Sequence, residues 1–190
     1  VLVILTGCID ISVGSIMALS GMVVALVLMN FPWIPTPVAV LVGAGIGTLA
    51  GAVNGGLVVL GKVSPVIATL GTMSVFRGLT FMLCYAFNEG RSVSADKLPF
   101  AFKEFTRVEH FSIPNLLWIA AALFVGFYYF LNHTMTGRKI YALGSNRDAA
   151  RMVGIDVDRM TFLVYLLSGA LAGAGGVLWA SRYSAAESSA

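Results

Sequence analysis

The chain alternates long apolar runs with shorter polar segments, and the runs have membrane length. From Ile11 to Gly61 there is no Asp, Glu, Lys or Arg. One helix over that run would far exceed the ~30 Å hydrocarbon core at about 1.5 Å per residue. It must break, and Pro32, Pro35 and Pro37 supply the break. The run therefore reads as two spans, 11–29 and 37–60, and further spans follow at 65–87, 114–132 and 161–181. Backbone groups in lipid need internal hydrogen bonds, so helices are the expected form. The short alternating segments of a membrane β-barrel are absent. The predicted fold class is all-α, a polytopic transmembrane helix bundle of about five full spans forming one transmembrane domain over 1–190.

Composition agrees. The chain is 58% hydrophobic and 11% charged, against roughly 25% charged for a soluble domain. Residues 1–9 begin inside an apolar run with no charged segment before it, which does not read as a signal peptide. The chain is expected to be an internal fragment with further helices on both sides. A net charge of +3 without basic clustering leaves no nucleic-acid footprint. Cys8 and Cys84 sit in apolar runs and read as small buried hydrophobes. No Cys/His spacing suggests a metal site.

The polar segments fall at 30–36, 61–64, 88–113 and 133–160, and alternate ones share a side. One side carries Lys62, Arg138, Lys139, Arg147, Arg151 and Arg159; the other carries Arg91, Lys97, Lys103 and Arg107, balanced by Glu89, Asp96, Glu104 and Glu109. The positive-inside rule places 61–64 and 133–160 in the cytoplasm. Trp33, Trp118 and Trp179 then all fall at the outer interface, the level that indoles favour.

Several groups inside the spans stand out. Gly43, Gly47, Gly51 and Gly55 recur every four residues, and Gly169 and Gly173 do so on the last span; both stripes read as close-packing faces. Asp10 precedes a membrane-length helix. It serves either as an interfacial N-cap with Ser12 or as an intramembrane carboxylate at a break in a discontinuous helix. Asn54 lies in an apolar span and suits an interhelical hydrogen bond, with contact to a transported molecule as the alternative. Arg77 lies midway along its span and should face protein or water; pairing with Asp10 is one option.

Segment 133–160 is the most informative loop. Ser145-Asn146-Arg147-Asp148 fits a capping box with Ser145 as the cap, and Gly154 is a C-terminal stop. A helix of about two turns is expected between them, with Ala149, Met152 and Val153 on one face and Arg147 and Arg151 on another. So short a helix is marginal alone, so either the membrane domain or a docked partner must hold it; a solvated connector is the plainer alternative. Asp156 and Asp158 are expected to start the last span.

Four segments carry a family likeness. They are Gly7-Cys8-Ile9-Asp10-Ile11-Ser12-Val13-Gly14-Ser15; Gly51-Ala52-Val53-Asn54-Gly55; Val66-Ile67-Ala68-Thr69-Leu70-Gly71-Thr72 with Arg77-Gly78; and Thr136-Gly137-Arg138 through Ser145-Asn146, Ala149-Ala150 and Gly154-Ile155 to Ser168-Gly169-Ala170-Leu171-Ala172-Gly173. With these the chain resembles the permease subunits of bacterial ATP-binding-cassette (ABC) importers for sugars of the ribose, xylose and rhamnose type, a family that includes importers of a furanosyl signal molecule. Cys8, Ile11 and Val66 stand where the family commonly has Gly, Leu and Pro; none of these departures removes a polar group. The family's later Gly-rich spans lie beyond Ala190.

The resemblance implies a transport subunit of the bacterial cytoplasmic (inner) membrane, with no catalytic residue and no metal. It would form the pathway of an ATP-driven, binding-protein-dependent importer of a sugar or sugar-like molecule. This chain has no Gly-x-x-x-x-Gly-Lys-Ser/Thr segment, so ATP belongs on a partner ATP-binding subunit and no cofactor is expected here. The other implied partners are a soluble sugar-binding protein facing loop 88–113, a second permease copy or paralogue, and membrane lipid. A short cytoplasmic helix in such permeases docks on the ATPase, and Ser145, Asn146, Asp148, Ala149, Ala150, Val153 and Gly154 match it. Asp10, Ser12, Asn54, Thr69 and Arg77 are the candidate pathway residues. The alternative is an ion-coupled secondary transporter using Asp10. An intramembrane enzyme is disfavoured, because no His-Glu-x-x-His, Gly-x-Ser-x-Gly or second intramembrane carboxylate is present.

Overall fold

The apolar runs fold as helices in a computed structural model that describes residues 2–88, 92–183 and 186–187. Val1, Glu89, Arg91 and Ala190, on which parts of the sequence reading fall, lie outside the described residues. A single turn, α1 (Leu2–Leu5), precedes α2 (Val13–Asn30), α3 (Thr36–Val59) and α4 (Pro65–Asn88). Pro35 caps α3 and Pro37 lies in its first turn, where a missing N–H costs nothing. The segment after α4 holds β1 (Ser92–Val93), a 3-10 turn at Ala95–Lys97, α5 (Phe100–Phe105) and a hairpin of β2 (Glu109–His110) and β3 (Ile113–Pro114). Then come α6 (Asn115–His133), α7 (Met135–Ser145), α8 (Arg147–Met152), α9 (Val157–Tyr183) and β4 (Ala186–Glu187), which pairs antiparallel with β1.

The fold is an all-α polytopic bundle. Among the described residues five helices, α2, α3, α4, α6 and α9, are long and apolar enough to cross a membrane. The last begins at Val157, ahead of the expected 161, because the Asp156 carboxylate accepts the Arg159 N–H at 2.9 Å and caps it there.

Lipid offers no hydrophobic drive between helices, so tight packing must come from small residues. The antiparallel pair α3 and α9 shows this. A Cβ on Gly47 would overlap the Gly169 carbonyl, and one on Gly173 would overlap the Gly43 carbonyl. One on Gly51 would overlap the Tyr165 carbonyl, and one on Gly55 would press on the Phe162 ring. Gly176 does the same against the Met17 carbonyl of α2. Around this centre, apolar clusters line the axis: Leu2, Cys8, Ile140 and Tyr165 at one end, Ile16, Ala50, Phe76 and Ala172 in the middle, Leu28, Cys84, Phe102 and Val177 at the other. No residue of α6 is buried.

Residues 92–113 are more ordered than a solvated loop. Phe102 is buried, and Ser181 of α9 donates to its carbonyl at 2.6 Å; Thr106 and Ser181 share a further hydrogen bond at 3.0 Å. The β2–β3 turn places Phe111 and Ser112 at φ 55° and 62°, the left-handed pair of a type I′ turn.

Segment 133–160 departs from the sequence reading in two ways. It holds two helices, not one, with α7 unanticipated. Thr134 caps α7 by accepting the Gly137 N–H, and Ile140 and Leu143 bury its inner face. The cap of α8 is Asn146 rather than Ser145, which ends α7. Asn146 has extended backbone at φ −158° and ψ 113°, and its Oδ1 accepts from both Asp148 and Ala149 at 3.0 Å. Both residue types cap well; the position at which the backbone turns decides between them.

Candidate functional site

The candidate pathway residues converge where α2 begins. After α1 the chain leaves helical geometry, with Gly7 at φ 71°, and re-enters it at Val13. Asp10 sits in that break. Its Oδ1 accepts both the Ser12 N–H (2.9 Å) and the Ser12 hydroxyl (2.7 Å). Asp10 thus closes the turn leading into α2, while Ser12, at the N-cap position, makes no side-chain cap bond to the helix.

From Ser12 the network crosses to two other helices. Asn54 Nδ2 donates to Ser12 Oγ at 2.7 Å, and the Thr72 hydroxyl donates to Asn54 Oδ1 at 2.6 Å. The Ile11 N–H donates to Thr69 Oγ1 at 3.3 Å, and that hydroxyl donates to the Pro65 carbonyl at 2.9 Å. Ser12, Asn54, Thr69 and Thr72 are buried, Asn54 completely, and Asp10 is half-buried. Asn54 precedes the end of α3 by five residues, and Thr69 and Thr72 follow the start of α4 by four and seven. At 1.5 Å per residue the cluster lies roughly 6–10 Å inside the helix ends.

Four of the five expected residues thus share one network. Arg77 lies five residues beyond Thr72 on α4, outside this cluster, and is exposed. Thr72 was not anticipated; its signal was the i,i+3 spacing from Thr69, which puts both hydroxyls on one face. Tyr165 was also missed. Its hydroxyl is buried and has no hydrogen-bond partner among the described residues, and its ring packs in the same cluster as Cys8. An apolar groove of about 390 Å³ lies elsewhere, between α2 and α9 and lined by Met17, Met22, Trp179 and Tyr183.

The second feature is α8, at the same end of the bundle. Gly154 at φ 79° ends it: the Gly154 N–H donates to the Arg151 carbonyl and the Ile155 N–H to the Ala150 carbonyl, a Schellman arrangement. Ala150 is buried against the chain, whereas Met152 and Val153 are 87% and 75% exposed and Ala149 is exposed beside them. Ser145, Asn146, Asp148 and Gly154 are exposed at its ends. Arg151 reaches Asp158 of α9 at 3.9 Å, both well solvated, a pair worth little by itself.

Comparison with known proteins gives a consistent picture. Residues 1–190 match the family model described as "Branched-chain amino acid transport system / permease component". The ribose import permease protein of Escherichia coli (strain K12) is 38% identical over 100% of this chain and 58% of its own length. The D-allose transport system permease protein of the same strain is 38% identical over 97% of this chain and 54% of its own. The autoinducer 2 import system permease protein of Klebsiella pneumoniae is 34% identical over 95% and 50%. The chain therefore spans little more than half the length of these relatives. No solved structure matches it.

Proposed function

The chain belongs to the permease-component family of branched-chain amino acid and related transport systems, multi-pass proteins of the bacterial inner membrane, and from that premise we propose that it forms part of the translocation pathway of an ATP-driven sugar importer. The observation that carries this reading is the match of the whole chain to import permeases for ribose, allose and autoinducer 2. The cargo is a sugar or a sugar-like small molecule, delivered by a soluble binding protein. The chemistry of the buried cluster supports this: Ser12, Asn54, Thr69 and Thr72 offer hydroxyl and amide groups suited to a neutral, polyhydroxylated cargo, and Asp10 is the one carboxylate among them.

ATP is hydrolysed on a separate subunit, and no catalytic step falls to this chain. The α8 end of the bundle faces the cytoplasm, and α8 docks on that ATPase through Ala149, Met152 and Val153. An exposed Met–Val pair on a helix capped at both ends suits a protein contact better than water. Segment 88–113 faces the binding protein on the other side, and a second permease copy or paralogue completes the pore.

The test is uptake by the full-length protein reconstituted in proteoliposomes with its ATPase subunit and binding protein, using ribose and allose as probes. ATP-dependent uptake that vanishes without the ATPase and survives a proton uncoupler is expected. Uptake that persists without the ATPase and collapses with the proton gradient would refute the reading. Single cysteines at Ala149 or Val153 should crosslink to the ATPase; no crosslink anywhere from 145 to 154 in an active complex removes the docking assignment.

A further inference from the structure

Arg147 of α8 reaches back by hydrogen bonds to a distant point of the sequence. Its Nη2 donates to the Thr6 carbonyl at 2.9 Å and to Cys8 Sγ at 2.8 Å, across a separation of about 140 residues. The contact falls on the break between α1 and α2, the only stretch of residues 2–30 that is not helical. Directly beside it, Gly144 of α7 lies so close to the Leu5 carbonyl that a Cβ there would overlap it. The two short helices thus grip the break at two points, one by backbone contact and one by a guanidinium.

What lies on the far side of the break gives the contact its meaning. Two residues after Cys8 comes Asp10, whose carboxylate holds Ser12, which in turn receives Asn54, which receives Thr72. Hydrogen bonds from the first residue of α8 to Thr6 and Cys8, and from Asp10 into the buried polar cluster joining α2, α3 and α4, are therefore linked by only two residues of main chain. The break contains a place to bend, since Gly7 holds a left-handed φ of 71° in open space between Thr6 and Cys8, the two residues that Arg147 contacts. Beside it lies the Tyr165 hydroxyl, buried in the cluster around Cys8 with no partner among the described residues.

We infer that Arg147 is a positioning residue that links movement of α8 to the break at Thr6–Cys8, and through Asp10 and Ser12 to the polar cluster. The inference rests on the importer reading above, in which α8 is the element moved by the ATPase. Arg147 acts through other residues and touches neither the cargo nor the ATPase. A planar guanidinium suits this role, because two donors on one rigid plane fix the angle as well as the distance to the break. Such a chain of contacts counts as coupling only when both ends respond together, so the experiment must read both.

The test uses the full-length permease reconstituted with its ATPase and binding protein, comparing wild type, Arg147→Ala and Arg147→Lys. Sugar uptake, ATPase activity with and without loaded binding protein, and co-purification of the ATPase are measured on each. For Arg147→Ala the expected result is uptake lowered about tenfold, ATPase no longer stimulated by loaded binding protein, and the ATPase retained at wild-type stoichiometry. Arg147→Lys, which keeps one donor for the Thr6 carbonyl, should recover part of both functions. Wild-type uptake and stimulation in Arg147→Ala overturn the inference. So does loss of the ATPase from the complex, which would make Arg147 a docking residue, and so does an equal loss in the two variants with a lowered melting temperature, which would make it merely structural. If the wild type itself shows no ATP-dependent uptake, the importer reading falls first and this inference with it.

Discussion

The α3–α9 contact makes the sharpest physical prediction, because backbone meets backbone there with no side chain able to yield. In Gly47→Ala the added methyl would overlap the Gly169 carbonyl and lie 2.7 and 2.8 Å from Cα and N of Gly173. An ordinary carbon contact is about 3.5–4.0 Å, so the two helices must separate by about 1 Å along their closest stretch. Overpacking of this kind costs about 1–3 kcal/mol, and the upper half applies here, since the clash is with helix backbone on both sides. Gly45→Ala is the control on the same helix: its Cβ meets nothing within 4 Å, and Ala is the better helix former by about 1 kcal/mol. At about 2–4 °C per kcal/mol for a protein of this size, thermal unfolding of the full-length protein in detergent should show Gly47→Ala melting about 5–10 °C lower. Gly45→Ala should melt at or slightly above wild type. Equal shifts in the two variants, or none in Gly47→Ala, would refute the argument that these glycines set the helix spacing.

Other parts of the structure can be tested in the same manner. Asn54→Leu removes the bridge between Ser12 and Thr72, at about 1–2 kcal/mol for an interhelical hydrogen-bond pair in a membrane protein; a lowered melting temperature together with reduced uptake is expected, and an unchanged protein would show that the bridge is idle. Asn146→Ala strips the cap from α8 at a cost of about 1 kcal/mol, so the amides of Asp148 and Ala149 should exchange hydrogen about fivefold faster; unchanged exchange there would disprove the assigned cap. Ser181→Ala breaks the Thr106 and Phe102 hydrogen bonds to α9, and limited proteolysis should then cut within 100–107 earlier than in wild type; an identical digestion pattern would show that the buried Phe102 ring and the Arg107–Arg182 hydrogen bonds hold α5 without it.

The spans were legible because their signals are strong and local. Run length, the charge-free stretch from Ile11 to Gly61 and the prolines after α2 are features of sequence that lipid converts directly into helices. The glycine stripe was legible for a similar reason: a spacing of four puts the bare positions on one face before any partner is known. What failed was structure whose signal is weak or remote. Helix α7 has one cap, Thr134, and a short inner face of Ile140 and Leu143, so it reads as loop until its contacts exist. The β2–β3 hairpin was hidden because Phe111 and Ser112 occupy a turn whose usual marker is Asn-Gly. Between Ser145 and Asn146 the sequence offers two competent caps, and tertiary placement of α7 selects the second. For the polar cluster, the residue types betrayed Asp10, Ser12, Asn54 and Thr69 individually, but not their order of donation nor the inclusion of Thr72. The partners of Arg147 are a backbone carbonyl and a sulfur near the other end of the chain, and no local pattern encodes them.

The two kinds of helix contact divide the bundle into parts that resist movement and parts that allow it. Between α3 and α9 backbone meets backbone at three successive glycines, Gly43 against the Gly173 carbonyl, Gly47 against Gly169 and Gly173, and Gly51 against the Tyr165 carbonyl. A contact with no side chains in it has no alternative rotamers, so the pair can shift only as a unit. The start of α2 is tied differently. It meets α3 and α4 through single hydrogen bonds at Ser12 and Ile11, and the chain before it is non-helical with a left-handed glycine. Each of those bonds can be exchanged for another polar partner at small cost, which a backbone-on-backbone contact cannot match. Movement arriving from α8 should therefore appear at the break and at the α2–α3–α4 cluster while α3 and α9 keep their spacing. Paired spin labels on exposed positions of α3 and α9, at Leu49 and Trp179, should hold one distance with and without ATP bound to the complex, while labels at Ile9 and Ile67 change theirs. A distance change confined to the α3–α9 pair would reverse the assignment of frame and moving part.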